Sequence, residues 1–159
     1  MALRLHVDQS SKVEQTNKPT VVAYSNEEQW AIEVPARVKR GVLIELREKG
    51  RSRRASVQLV FAALLAVLLR DIAGHADIIL IDNEYTGQER AIKGQLLRFL
   101  DNLGVHAEPE VLRFGFIGKK SSAHELAIAV RRGKRQPDHR VTSEELWALL
   151  GQKKTPGAA

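Results

Sequence analysis

The chain has no cysteine, which excludes disulfide staples, a thiolate nucleophile and any cysteine-ligated zinc or iron–sulfur centre. Aromatic residues are scarce at 5%, and Trp30 and Tyr85 alone cannot form an aromatic stacking platform for single strands. Long apolar runs are missing as well. The longest, residues 59–69, falls far short of the roughly 18 residues a membrane span requires. Residues 1–9 lack the apolar core of a secretory signal, so the expectation is a soluble, cytoplasmic protein that avoids membranes. Three motifs are also absent. No Gly-x-Ser-x-Gly elbow argues for an α/β-hydrolase, no Gly-x-Gly-x-x-Gly follows a strand, and no Walker A spacing precedes a Gly-Lys-Ser/Thr.

Charge is plentiful but unevenly placed. The 159 residues are 43% hydrophobic and 28% charged, an ordinary globular balance, and carry a net charge of +6. Residues 37–54 hold eight basic side chains against Glu45 and Glu48, and residues 113–140 hold eight against Glu125 and Asp138. Everything else is net acidic. Two basic blocks of this kind are a common footprint of polyanion binding, with a merely solvated basic face as the plain alternative. The length suits one domain, expected over residues 1–151, with residues 152–159 as a disordered tail.

Periodicity gives the element order. Leu3, Leu5 and Val7 alternate with polar residues, the pattern of a half-buried strand closing at Asp8. Residues 20–25 and 30–34 form a second and third strand around an Asn26-Glu27-Glu28 reversal. A helix over 36–48 and an entirely apolar, hence buried, helix over 54–73 follow. The unbroken aliphatics from Ile78 to Ile81 predict a central strand covered on both faces and ending at Asp82. Capping-box spacings at Thr86–Glu89, Ser122–Glu125 and Thr142–Glu145 predict three further helix starts, with a strand over 110–117. Strand–helix–strand units after a meander indicate an α/β fold: a mixed sheet with an antiparallel three-strand meander, parallel strands and helices on both faces.

Ligands in such sheets gather outside the carboxyl ends of parallel strands, and Asp8 and Asp82 occupy two of those ends. If the two strands are parallel neighbours, their carboxylates converge, with Glu84 two residues further on. Converging carboxylates repel unless a hard cation such as Mg²⁺ or Mn²⁺ joins them. Two such ions about 4 Å apart can support phosphodiester cleavage. The plain alternative is an Asx-turn at Asp82 and a solvent-facing strand end at Asp8.

With a meander whose first strand carries Asp8, a long helix, a strand ending in Asp82, then another helix, strand and late helix, the chain resembles the ribonuclease H-like superfamily over about residues 2–132. The resemblance implies metal-dependent cleavage of nucleic acid, with Asp8, Asp82 and Glu84 as metal ligands and catalytic acids. It also implies a further acid or histidine from the late helix, here Glu125 or His124. One departure is plain: the first long helix has no acid, and Glu45 and Glu48 lie on the helix before it. Some members of the superfamily only bind. The alternative on the same fold is therefore a non-catalytic nucleic-acid-binding or protein-assembly domain, in which Asp82, Glu84 and Glu89 organise a turn and a cap.

The glycines, lysines and helix start of residues 115–122 suit a phosphate and nominate Lys119 and Lys120 as contacts. Arg51, Arg53, Arg54, Arg131, Arg132, Lys134 and Arg135 are the other expected nucleic-acid contacts, to RNA or DNA. His6 can face the site beside Asp8 or lie half-exposed, while His75 and His106 stand at helix ends. Residues 134–140, with Asp138-His139, are expected to form a flexible phosphate-contacting loop.

Overall fold

A computed structural model describes residues 3–151, so the tail expected over 152–159 lies outside the described residues. Strands β1 (Arg4–Ser10), β2 (Thr20–Asn26) and β3 (Trp30–Val34) form the meander. Helices α1 (Ala36–Glu48) and α2 (Arg53–Leu69) lead to β4 (Ile78–Asp82) and α3 (Glu89–Asn102). A 3₁₀ turn at Pro109–Val111, β5 (Leu112–Gly115), α4 (Ser122–Arg131), β6 (His139–Arg140) and α5 (Ser143–Leu150) complete the order. The six strands make one mixed sheet in the order β5-β4-β1-β2-β3-β6. β1, β2 and β3 pair antiparallel, and the β1–β4, β4–β5 and β3–β6 pairs are parallel. No helix among the described residues is long and apolar enough to cross a membrane.

Alternation along the strands divides the core in two. Leu5, Val7, Val22, Tyr24, Ile79 and Ile81 face one side and pack under α1, α2, α3 and α5. Val21, Ala23 and Ala31 face the other side and meet Leu126, Ala127 and Val130 of α4. α2 is apolar all round because it is covered all round: it touches the sheet, α1, α3 and α5, and thirteen of its residues are buried. α4 packs on β1, β2 and β3, and on that side Ile78 and Leu80 of β4 are only half-buried, so the expectation of a strand covered on both faces holds for one face alone.

Several local expectations need correction. β1 runs on to Ser10, because Gln9 and Ser10 still pair with Val22 and Val21 of β2. α2 stops at Leu69, where residues 70–75 turn toward β4. Thr86 caps nothing; the N-cap of α3 is Gln88, and Glu89 accepts a hydrogen bond from Asn83 Nδ2 instead. α4 is capped by Ser121, one residue earlier than the Ser122–Glu125 spacing implies, because the Ser121 hydroxyl accepts from Ala123 and His124 N–H groups. The Thr142–Glu145 box forms as expected. The strand over 110–117 shortens to β5, leaving Phe116 86% exposed.

Of residues 134–140, expected as a flexible loop, His139 and Arg140 are instead part of the sheet. β6 pairs with the edge of β3, the Asp138 carboxylate accepts from Ala31 N, and His139 Nε2 bonds the Glu145 carboxylate at 2.7 Å. An edge strand with open N–H and C=O groups is a ready template for a short parallel partner, which the propensities of residues 134–140 alone do not reveal.

Candidate metal centre

β1 and β4 are parallel neighbours, and their register decides the geometry. Leu5 pairs with Ile79 and Val7 with Ile81. One residue further along each strand stand Asp8 and Asp82, side by side. Since Val7 and Ile81 point into the main core, the period of two turns both acids toward the opposite face, where α4 lies. Glu84 joins them through a tight turn in which its N–H donates to Asp82 O and Asn83 N–H donates to Gly115 O. Oxygens of Asp8, Asp82 and Glu84 all lie within 4.8 Å of one another.

Tyr85 anchors that turn. Its ring is buried 4.8 Å from Phe61, its hydroxyl accepts from Val13 N–H at 3.1 Å, and the Glu14 carboxylate lies 3.2 Å away as an acceptor. The loop after β1 and the loop after β4 are thereby tied together beneath the acids. Burial pushes the Tyr85 phenol above its ordinary range, so it remains a neutral hydroxyl.

Each acid is held differently. Asp8 is 4% exposed; one oxygen accepts the Gln9 N–H, and the other lies 2.7 Å from His124 Nδ1. Burial raises its pKa, and the His124 and Gln9 hydrogen bonds oppose the rise. Asp82 Oδ1 accepts from Ile117 N–H at 3.1 Å, which ties the loop after β5 to the site. Glu84 has its pKa pushed up to about 7, first by burial and then by a shared hydrogen bond and like charge from Asp82, with Asp8 adding to it. Three carboxylates this close cannot all ionise freely without a cation.

The donor set fits a hard divalent ion. All three groups offer carboxylate oxygens, as Mg²⁺ and Mn²⁺ prefer, and none offers sulfur. Asn83, between Asp82 and Glu84 in the chain, has a buried Oδ1 with no hydrogen-bond partner among the described residues. His124 Nδ1 is engaged by Asp8, so the imidazole orients a carboxylate.

Other expected site residues fall outside this cluster. Glu125 is exposed on the first turn of α4 and makes no hydrogen bond or ion pair among the described residues; of the pair His124 and Glu125, only His124 reaches Asp8. Glu45 and Glu48 are exposed on α1, with Glu45 paired to Lys49. His6 is half-buried on the same strand face as Asp8, two residues away.

The expected basic contacts lie on the turn before α4, on and just after α4, and at the start of α2. Lys119 and Lys120 are exposed in the turn between Ile117, bound to Asp82, and Ser121, the cap of α4. Gly118, at φ +83°, provides the left-handed step in that turn. Arg131 Nε donates to Ser10 Oγ at 2.6 Å, at the end of β1. Arg132 and Lys134 are exposed, and Arg135 pairs with Asp138 at 3.4 Å. Arg53 and Arg54 line a cavity with Tyr85 and Gln88, and Arg51 is exposed just before α2. Pattern reading missed Tyr85 as the anchor, and Arg40 and Arg47 as neighbours of Arg53; only their buried or cavity-lining positions expose them.

Comparison with known proteins returns no match, whether against protein-family models, curated proteins or solved structures.

Proposed function

We propose that the chain is a divalent-metal-dependent nuclease domain of ribonuclease H-like type, acting on nucleic-acid phosphodiesters. The observation that carries this reading is the meeting of Asp8, Asp82 and Glu84 oxygens within 4.8 Å at the carboxyl ends of two parallel strands. The order of meander, helices and strands, with acids on the first and fourth strands, supports the family resemblance. Basic residues before, on and just after α4 and at the start of α2 support a polyanionic substrate.

Asp8, Asp82 and Glu84 would hold Mg²⁺ or Mn²⁺, which when bound activates water and neutralises charge at the scissile phosphate. With Asp8 ionised, His124 donates from Nδ1, and its other ring nitrogen is Nε2. That nitrogen is then suited to take up or deliver a proton beside the reacting phosphate. Lys119 and Lys120 hold phosphate charge without competing for the acids. Glu84 takes the place of the missing helix acid.

The test incubates purified protein with labelled RNA, DNA and RNA–DNA hybrid in Mg²⁺, Mn²⁺ or chelator. Metal-dependent cleavage that disappears in both Asp8→Asn and Asp82→Asn supports the nuclease. Salt-sensitive binding with no cleavage under any metal assigns a binding or assembly domain instead.

A further inference from the structure

The molecule has a second concave feature, separate from the acids. Between α1 and the start of α2 lies a cavity of about 320 Å³. Its wall is aliphatic, formed by Leu43, Ile44 and Val57, and its rim carries Arg40, Arg47 and Arg53. Ile44 is 54% exposed although Val42, Leu43 and Leu46 on the same helix are buried, so a large aliphatic side chain stands uncovered among guanidinium groups. A second cavity of about 390 Å³ shares Glu14, Arg53 and Val57 with the first, adds Arg54, and reaches Tyr85 and Gln88. Tyr85 is the residue next to Glu84. The two cavities therefore form one track from the outer face of α1 to Tyr85.

Charge along the track is strongly one-sided. None of Arg40, Arg47, Arg53 and Arg54 is in an ion pair among the described residues. The one acid on the track, Glu14, is already engaged as an acceptor for the Tyr85 hydroxyl. Arginines spaced along a groove match a chain of phosphates, each able to receive a planar pair of N–H donors.

We propose that this track binds an unpaired nucleic-acid strand, with phosphates on the arginines and one base against Leu43, Ile44 and Val57. A base can enter a concave aliphatic pocket only when it is not paired, whereas a duplex presents only its phosphate exterior to the same arginines. The contact is burial against aliphatic side chains and needs no aromatic platform. The binding does not rest on the nuclease reading.

The experiment measures fluorescence anisotropy of a labelled single-stranded oligonucleotide of about 12 nucleotides, and of its blunt duplex, in chelator at 50–200 mM salt, a length within the usual site size of about 4–16 nucleotides. The single strand binds about tenfold tighter than the duplex. The R47A/R53A double variant weakens single-strand binding by about tenfold and lowers the logarithmic salt slope by about 1.4, at about 0.7 for each phosphate no longer neutralised. Ile44→Ser weakens the single strand and leaves the duplex unchanged. R90A/K93A, in a separate cavity between α3 and β5, has no effect. All substituted residues except Lys93 and Asp82 are exposed, and circular dichroism melts verify that each variant folds. Equal affinity for duplex and single strand, or unchanged binding by R47A/R53A, overturns the proposal. Cleavage by the wild type in Mg²⁺, lost in Asp82→Asn, is scored separately. Groove variants that lose binding without any wild-type cleavage refute the nuclease and keep the track, and the converse refutes the track alone.

Discussion

Removing one charge from the acidic cluster has opposite effects with and without metal, and Glu84→Gln is the cleanest way to do so. In the metal-free protein the Glu84 carboxyl titrates near 7 against an ordinary 4.5. Between those values the folded chain holds a proton that the unfolded chain has lost. Stability contributed by this group therefore falls as pH rises through that window. A shift of this size corresponds to about 3 kcal/mol at about 1.4 kcal/mol per pKa unit. Two like charges at the 4.8 Å outer limit of the cluster give a similar figure, about 3.5 kcal/mol at an effective dielectric constant of about 20. Glu84 is only half-buried, so solvent screening reduces the realised effect to about 1–2 kcal/mol. In chelator, Glu84→Gln should match the wild type at pH 4.5 and exceed it at pH 8 by about 2–8 °C in Tm, at about 2–4 °C per kcal/mol. In saturating Mg²⁺ or Mn²⁺ at pH 8 the order reverses, because the wild type gains ligand-linked stability that the variant largely lacks. The assay is a set of calorimetric or circular dichroism melts at the two pH values with and without metal. A variant no more stable than wild type at pH 8 in chelator, or no reversal on adding metal, would refute the claim that these three carboxylates form one cation site.

Further predictions follow from individual contacts. His124→Ala should lower metal-dependent cleavage on the order of 10- to 100-fold, and an exogenous imidazole should restore part of it, as read by initial rates. Tyr85→Phe strands the Val13 N–H, an unmade hydrogen bond costing about 1–3 kcal/mol, and should lower Tm at every pH. Lys39 is fully buried, with its ammonium donating to Lys12 O, Gln15 O and Thr20 Oγ1; Lys39→Met should destabilise the β1–β2 loop, visible as faster amide exchange over residues 11–19. Burial lowers the Lys39 pKa to about 8 from 10.5, so the unfolded chain binds the extra proton between these values. Wild-type stability should accordingly gain from this group as pH rises from 8 to 10.5, a gain missing in Lys39→Met melts.

Much of this arrangement was legible along the chain. The period-2 pattern of Leu3, Leu5 and Val7 placed Asp8 on the opposite strand face from the apolar residues, and the aliphatic run of β4 ended at Asp82 as expected. The buried character of α2 followed from its apolar circumference. Less legible were the features that depend on a partner. Ser121 and Ser122 compete for one cap, and backbone geometry chose the first. β6 exists because the β3 edge was open beside it. Glu125 and His124 sit one residue apart on a helix, about 100° around its axis, and only the docking of α4 decided which of them would face Asp8.

Local chemistry by itself determined most of the strands, helices and turns, β6 excepted, which strand faces are apolar, and that Asp82 ends β4 while Asp8 lies near the end of β1. Those properties are short-range, set by side-chain period and backbone preference. Tertiary structure alone decided that Asp8 and Asp82, 74 residues apart, lie in adjacent parallel positions, that Glu84 folds back onto them, and that His124 arrives from the far side of the sheet. Strand register and helix docking are fixed by burying two apolar layers at once, and that requirement joins residues no local pattern connects.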